Sequence, residues 1–212
     1  MNVLLLGDSH TLGFYGQALA QLFKGMGADV TVVANPGATA VDYLAGGKHA
    51  AQVPTRLSKP LGFDIAVITL GTNDAAASDN APPGTIVDRL KSLAEALPSS
   101  NVWYVGPPAF SAQVAAQVAG NLNTRAGAIL NEALKRFGFR TIDSRPSTVG
   151  GGDLAPQGEA WAQAVFKRTT AKIPKLPVGE GGGKATSIPP WAYVAGIALL
   201  WWAFAPKKKQ KS

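Results

Sequence analysis

The sequence predicts a three-layer α/β/α sandwich built on a mostly parallel sheet of five strands. Short apolar runs of strand type recur between the N-terminus and residue 143, and stretches with apolar residues at helical spacing lie between them. Strands that alternate with helices imply crossover connections, hence parallel neighbours covered on both faces. A length of 212 residues suits one well-buried domain with a modest appendage, since domains cluster at about 100–150 residues.

The first strand is the unbroken apolar run Val3 to Leu6, stopped abruptly by Gly7-Asp8-Ser9. A helix over 12–25 follows, with Leu12, Tyr15, Leu19 and Leu22 at its apolar spacing. "DVTVVA" (29–34) and "DIAVITL" (64–70) read as the second and third strands. The spacing of Ile86, Leu90, Leu93 and Leu97 predicts a helix over roughly 85–97. "NVWYVG" (101–106) is the fourth strand, 112–137 a long helix, "FRTID" (139–143) a weaker fifth strand and 156–172 a last helix.

Beyond residue 172 the composition changes, which sets the expected domain at 1–172. Residues 173–187 are rich in Gly and Pro and read as a flexible linker. Residues 188–205 carry no charge, and four lysines crowd the last six positions. A transmembrane helix over 188–206 is therefore expected, with Trp191, Tyr193, Trp201 and Trp202 near its ends and a basic tail at 207–212. The expected partner of that segment is a lipid bilayer, and the expected location is a membrane crossed once by the C-terminus. The start at Met1 has neither a basic leader nor a small-residue cleavage site, so no secretory signal peptide is expected and both orientations in the membrane stay open.

Composition excludes several function classes. The formal charge of +7 owes much to the tail lysines, and no basic stripe interleaved with aromatics marks the main domain. Specific nucleic-acid binding by that domain is thus not expected. Cysteines are absent and the only histidines are His10 and His49, so neither a metal centre nor any other cofactor is expected. A nucleotide-binding role is disfavoured because the first loop lacks a glycine-rich phosphate cradle.

Three short stretches fall at predicted strand ends: "GDSH" after the first strand, "NPGATA" (35–40) after the second and "LGTND" (70–74) after the third. The carboxyl ends of parallel strands converge on one crevice. Together the stretches supply parts for acyl transfer. Ser9 offers a hydroxyl nucleophile, and the backbone N–H of Ser9, the N–H of Gly37 and the side-chain amide of Asn73 are donors suited to a developing oxyanion.

Gly7-Asp8-Ser9, Gly37 and Gly71-Thr72-Asn73-Asp74, in this order and at these strand ends, resemble the first three signature blocks of the SGNH, or GDSL-type, hydrolases. The resemblance covers about residues 1–170. It implies a flavodoxin-like fold and cleavage of esters, including acetyl groups on carbohydrates. It also implies Ser9 as the nucleophile and Gly37 and Asn73 as oxyanion-hole residues, with Asp8 and Asp74 fixing loops beside the site.

The fourth block of that family holds an Asp and a His three residues apart, before the last helix. The corresponding stretch here is "DSRPSTVGGGDLAPQGEAWAQAV" (143–165). Alignment on Pro156 and Gly158 puts Asp153 where the His belongs and Gly150 where the Asp belongs. Taking Asp153 as the acidic member puts Pro156 at the His position instead. Neither register contains a histidine, and loss of general-base help typically removes about 10²- to 10⁴-fold in rate.

Three groups could serve in its place. Asp153 could act as a base if apolar surroundings raised its pKa. His49, in the glycine-rich loop "AGGKHAAQ", could fold over the site. His10 adjoins the serine, but consecutive helical residues do not face each other. Two functional classes follow. One is a membrane-anchored serine esterase acting on an acyl ester, such as an envelope carbohydrate, bound in the crevice. The other is a catalytically inactive binding or scaffold protein of a membrane, such as a virion membrane or a cell envelope.

Overall fold

The computed structural model describes residues 1–55, 58, 61–77, 81–112, 115–116, 121–137, 140–148 and 155–171. The expected transmembrane segment, linker and tail lie outside the described residues, as do Gly150 and Asp153. Among the described residues no helix is long and apolar enough to cross a membrane.

Five parallel strands form one sheet in the order β2-β1-β3-β4-β5. They are β1 (Asn2–Gly7), β2 (Asp29–Ala34), β3 (Ile65–Thr69), β4 (Val102–Val105) and β5 (Thr141–Ile142). The helices are α1 (Ser9–Leu12), α2 (Phe14–Gly25), α3 (Ala40–Tyr43), α4 (Thr72–Ala76), α5 (Pro83–Ala96), α6 (Leu122–Phe137), α7 (Arg145–Thr148) and α8 (Ala155–Thr170), with a 3₁₀ turn at Ala50–Gln52.

Alternation along the strands sorts the core into two halves. Leu4, Leu6, Ala66, Ile68 and Tyr104 point to the face covered by α5 and α6, where Ile86, Leu90, Leu93, Leu122 and Ile129 meet them. Val3, Leu5, Ile65, Val67 and Trp103 point the other way, onto Tyr15, Leu19 and Phe23 of α2 and Trp161 and Val165 of α8. Burying each such side chain contributes roughly 1.5–3 kcal/mol. Apolar residues on both faces explain why β1 and β3 read as continuous apolar runs.

The expected first helix is two helices. Asp8 caps α1, its carboxylate accepting from the His10 N–H at 3.0 Å. At Gly13 the backbone turns extended, with its N–H returned to the Ser9 and His10 carbonyls, and α2 starts afresh. Leu12, expected on the apolar face, consequently sits 42% exposed. The buried face of α2 is Tyr15, Leu19 and Phe23, with Leu22 only packed at its margin. The last helix, expected over 156–172, spans Ala155–Thr170, with Gly158, Trp161, Ala162 and Val165 buried along it.

Candidate active site

In the order β2-β1-β3 the chain passes from β1 outward to β2 and then back across to β3, so a crevice opens at the carboxyl ends of β1 and β3. Ser9 follows β1 and Asn73 follows β3, which places the first and third motifs on the two sides of that crevice.

Three loops are tied together there by short polar contacts. Asn73 Nδ2 donates to Asp8 Oδ2 and to the Ala38 carbonyl, both at 3.1 Å. One side chain thereby joins the loops after β1, β2 and β3. Asp8 is fully buried, and its carboxylate accepts from the His10 N–H and from Asn73. Asp74 pins a second junction, accepting from the Ala40 N–H at 3.1 and 3.2 Å with its two oxygens. Burial pushes the Asp74 carboxyl up to about 6, against the lowering effect of the Ala40 bond, while the Asp8 charge adds to the rise and Arg89 opposes it. A cavity of about 20 Å³, bordered by Thr39, Val41, Asp74, Ala77, Ile86 and Arg89, lies beside that carboxylate.

The donors expected for an oxyanion differ in state. Ser9 is half-buried, and its hydroxyl and backbone N–H make no hydrogen bond to a described residue. Gly37 is exposed at φ 73°, and its N–H donates to no described group. No atom lies within 4 Å of the position a Cβ would take there, so an incoming ligand oxygen has open access to that backbone. Asn73, by contrast, has given both amide hydrogens to Asp8 and Ala38. Gly71, which launches α4, is fixed by φ 112° and by its approach to Tyr104, whose hydroxyl would stand 2.9 Å from an added Cβ.

The structure keeps the two histidines apart in role. His10 is buried with its ring 5.8 Å from both Phe110 and Trp161, and its Nε2 lies 3.2 Å from Thr72 Oγ1. It therefore links the first motif to the third rather than facing Ser9. His49 precedes the 3₁₀ turn and sits against the Tyr43 ring at 5.6 Å. Neither ring is hydrogen-bonded to the Ser9 hydroxyl. Asp153, the third possible base, lies outside the described residues. Among the described residues no group of His, Asp and Glu could hold a metal ion.

Sequence reasoning missed several residues of this neighbourhood. Tyr43 donates to the Gly7 carbonyl at 2.6 Å and accepts from Asn35 Nδ2 at 3.0 Å. Asn35 also donates to Gln52 Oε1 at 2.8 Å. Trp161 stacks on Tyr15, with ring centres 3.9 Å apart, behind His10. Trp161 was legible only as part of an apolar helix; Tyr43, Asn35 and Gln52 carry no local signal.

No protein-family model matches the chain, and no curated protein matches it. Solved structures do. Est24, a carbohydrate acetylesterase from Sinorhizobium meliloti, superposes with a TM-score of 0.62 at 16% identity, over 80% of this chain and 98% of that one. The aryl esterase of M. smegmatis gives 0.63 at 17%, over 80% and 98%. A lipase/acylhydrolase from Enterococcus faecalis gives 0.54 at 16%, over 79% and 95%. The fold is SGNH-hydrolase-like. Within this SGNH-like architecture the three motif loops occupy the strand ends at which the sequence resemblance expects them.

Proposed function

We propose that this protein is a serine esterase of SGNH type, with Ser9 as the nucleophile. The observation that carries the reading is a pair of donors, the Ser9 and Gly37 N–H groups, that no described residue takes up, on loops held together beside a Ser9 hydroxyl that bonds to no described residue. Ser9 Oγ attacks the ester carbonyl carbon while its proton passes to a base. The carbonyl oxygen becomes an oxyanion held by the two N–H groups, and collapse releases the alcohol, which takes up the proton. Water then cleaves the acyl-Ser9 ester by the same steps, returning Ser9 and a carboxylic acid.

Asp153 is the proposed base, because alignment on Pro156 and Gly158 gives it the family's histidine position. A carboxylate is a weaker base than imidazole at neutral pH, so slow turnover is part of the proposal. Residues 188–206 are proposed to hold the domain at a bilayer, on the strength of an uncharged run ending in lysines.

A second reading is a non-catalytic binding or scaffold protein. It is favoured by Asn73, whose amide hydrogens are already committed, and by the absence of any histidine after His49.

The deciding experiment is labelling of the full chain with a fluorophosphonate beside its Ser9→Ala variant. Labelling that the variant loses supports the esterase; equal, background labelling of both supports the scaffold.

A further inference from the structure

The peptide group that leads into Ser9 is clamped from both sides. On one side the Asp8 N–H donates to the Thr69 carbonyl at 3.3 Å. On the other the Gly7 carbonyl accepts from Tyr43 Oη at 2.6 Å and from the Asn35 N–H at 3.2 Å. The next peptide carries the Ser9 N–H, and its Asp8 carbonyl accepts from the Thr11 N–H at 3.1 Å. The Ser9 N–H lies in the plane so anchored, opposite that carbonyl.

The Gly37 N–H is set from the same place. Asn35, Pro36, Gly37 and Ala38 form a turn closed by the Ala38 N–H on the Asn35 carbonyl at 3.2 Å. Proline second and a glycine at φ 73° third are the pattern of a type II turn. Asn35 opens this turn and is fastened twice, its N–H on the Gly7 carbonyl and its Nδ2 on Tyr43 Oη at 3.0 Å. Gly7, Tyr43 and Asn35 thereby close a ring of three hydrogen bonds, in which the phenol donates to the first loop and accepts from the second. Tyr43 is itself firmly held: its ring is buried in the core with Leu4 and Leu6, and the first N–H of α3 donates to Asp74.

We propose that Tyr43 is a positioning residue whose hydroxyl fixes the Ser9 and Gly37 N–H groups relative to each other, so that both meet one oxyanion. This rests on the esterase reading and adds to it a side chain that touches neither the substrate nor the reacting atoms. Donors placed before the reaction stabilise developing charge without reorganising. A displacement of about 1 Å is enough to cost on the order of 10²-fold in rate. Tyr43→Phe keeps the buried ring and leaves the Gly7 carbonyl its Asn35 N–H donor, so the fold persists while the side-chain link between the two loops is cut. An oxyanion exists only on the way to products, so its loss is read in kcat and not in KM.

The test compares the full chain with its Tyr43→Phe, Asn35→Ala and Thr141→Val variants in phenyl acetate hydrolysis, fluorophosphonate labelling rate and urea unfolding. Thr141→Val deletes a buried hydroxyl bond to the Ala133 carbonyl on the far edge strand β5, and so controls for lost stability alone. In Tyr43→Phe, kcat and the labelling rate are expected to fall about tenfold with KM within about twofold of wild type. Asn35→Ala opens the ring at its other side; it is expected to fall in the same direction and decides the matter if Tyr43→Phe does not fold. Thr141→Val is expected to keep kcat within about twofold. An unchanged kcat in Tyr43→Phe, a raised KM at constant kcat, or an equal fall in Thr141→Val overturns the proposal and leaves Ser9 an active nucleophile. Wild-type hydrolysis and labelling no greater than those of Ser9→Ala would instead fail the esterase reading, and this proposal with it.

Discussion

The Asn73 amide nitrogen stands 3.1 Å from the Asp8 carboxylate, so the third motif is fastened to the first by a charge-assisted hydrogen bond. The same nitrogen reaches the Ala38 carbonyl, in the second. An aspartate and an asparagine far apart in sequence thus convert three strand ends into one site. Asp8→Asn keeps the shape but leaves one side-chain oxygen to serve both the His10 N–H and Asn73. Removal of one buried charged acceptor should cost about 2 kcal/mol. Urea unfolding of wild type and variant measures it; a difference below about 0.5 kcal/mol would deny the bond its structural role.

Asp74 titrates in an unusual range, and the sign of its effect on stability can be worked out. Burial raises its carboxyl from 3.8 in the open chain to about 6 in the fold. The folded protein therefore holds this proton more tightly, and the associated stabilisation is complete below about pH 4 and lost as pH rises to about 6. Two pH units of displacement correspond to roughly 3 kcal/mol. Asp74→Asn keeps an oxygen for the Ala40 N–H and removes the titration. The variant should be more stable than wild type at pH 7, with the advantage shrinking towards pH 4. Chemical denaturation at pH 4, 5, 6 and 7 follows the difference; a gap that does not vary with pH would be the contrary outcome.

Gly71 combines a left-handed backbone with a tight approach to Tyr104, whose hydroxyl also donates to the Leu70 carbonyl at 3.1 Å. Gly71→Ala forces both a strained φ and a displaced phenol. Backbone strain alone costs about 1–3 kcal/mol, and the crowding adds to it. Thermal unfolding should fall by several degrees at least. A melting temperature within a degree of wild type would mean that the turn after β3 is not held as described.

How much of this was legible beforehand depends on the range of the interaction. The run Val3 to Leu6 declares its strand because burial of both faces dictates side-chain type locally, whereas 29–34 declares its own through Val30, Thr31, Val32 and Val33, residues of strand type, although none of β2 is fully buried. β2 falls where expected, and α5 and α8 begin and end within two residues of expectation. The break between α1 and α2 was not legible, because Gly13 in a helical pattern is often tolerated and here yields to the Asp8 cap. Ser9, Gly37 and Asn73 stand out in the sequence as candidates through their motifs. Their differing donor states do not, since Asn73 is committed by Asp8 and Ala38, 65 and 35 residues away. Nor could spacing show that His10 turns towards Thr72, Phe110 and Trp161, because those contacts exist only once the sheet has formed.

The proposed loss of the family's base also predicts its restoration. The stripe Gly158, Trp161, Ala162 and Val165 is buried along α8, the helix that follows the fourth block. In the proposed alignment on Pro156 and Gly158, Asp153 takes the position of the missing histidine and Gly150 that of its acidic partner. In the double variant Gly150→Asp with Asp153→His, an imidazole would take the Ser9 proton and the new carboxylate would orient it. General-base assistance is worth about 10²- to 10⁴-fold, so hydrolysis of phenyl acetate and the rate of fluorophosphonate labelling should both rise at least a hundredfold over wild type. Asp153→His alone should recover only part of the gain, because the ring would lack its orienting partner. Rates unchanged in the double variant, with unfolding behaviour preserved, would mean that residue 153 does not reach Ser9 and that the crevice serves for binding.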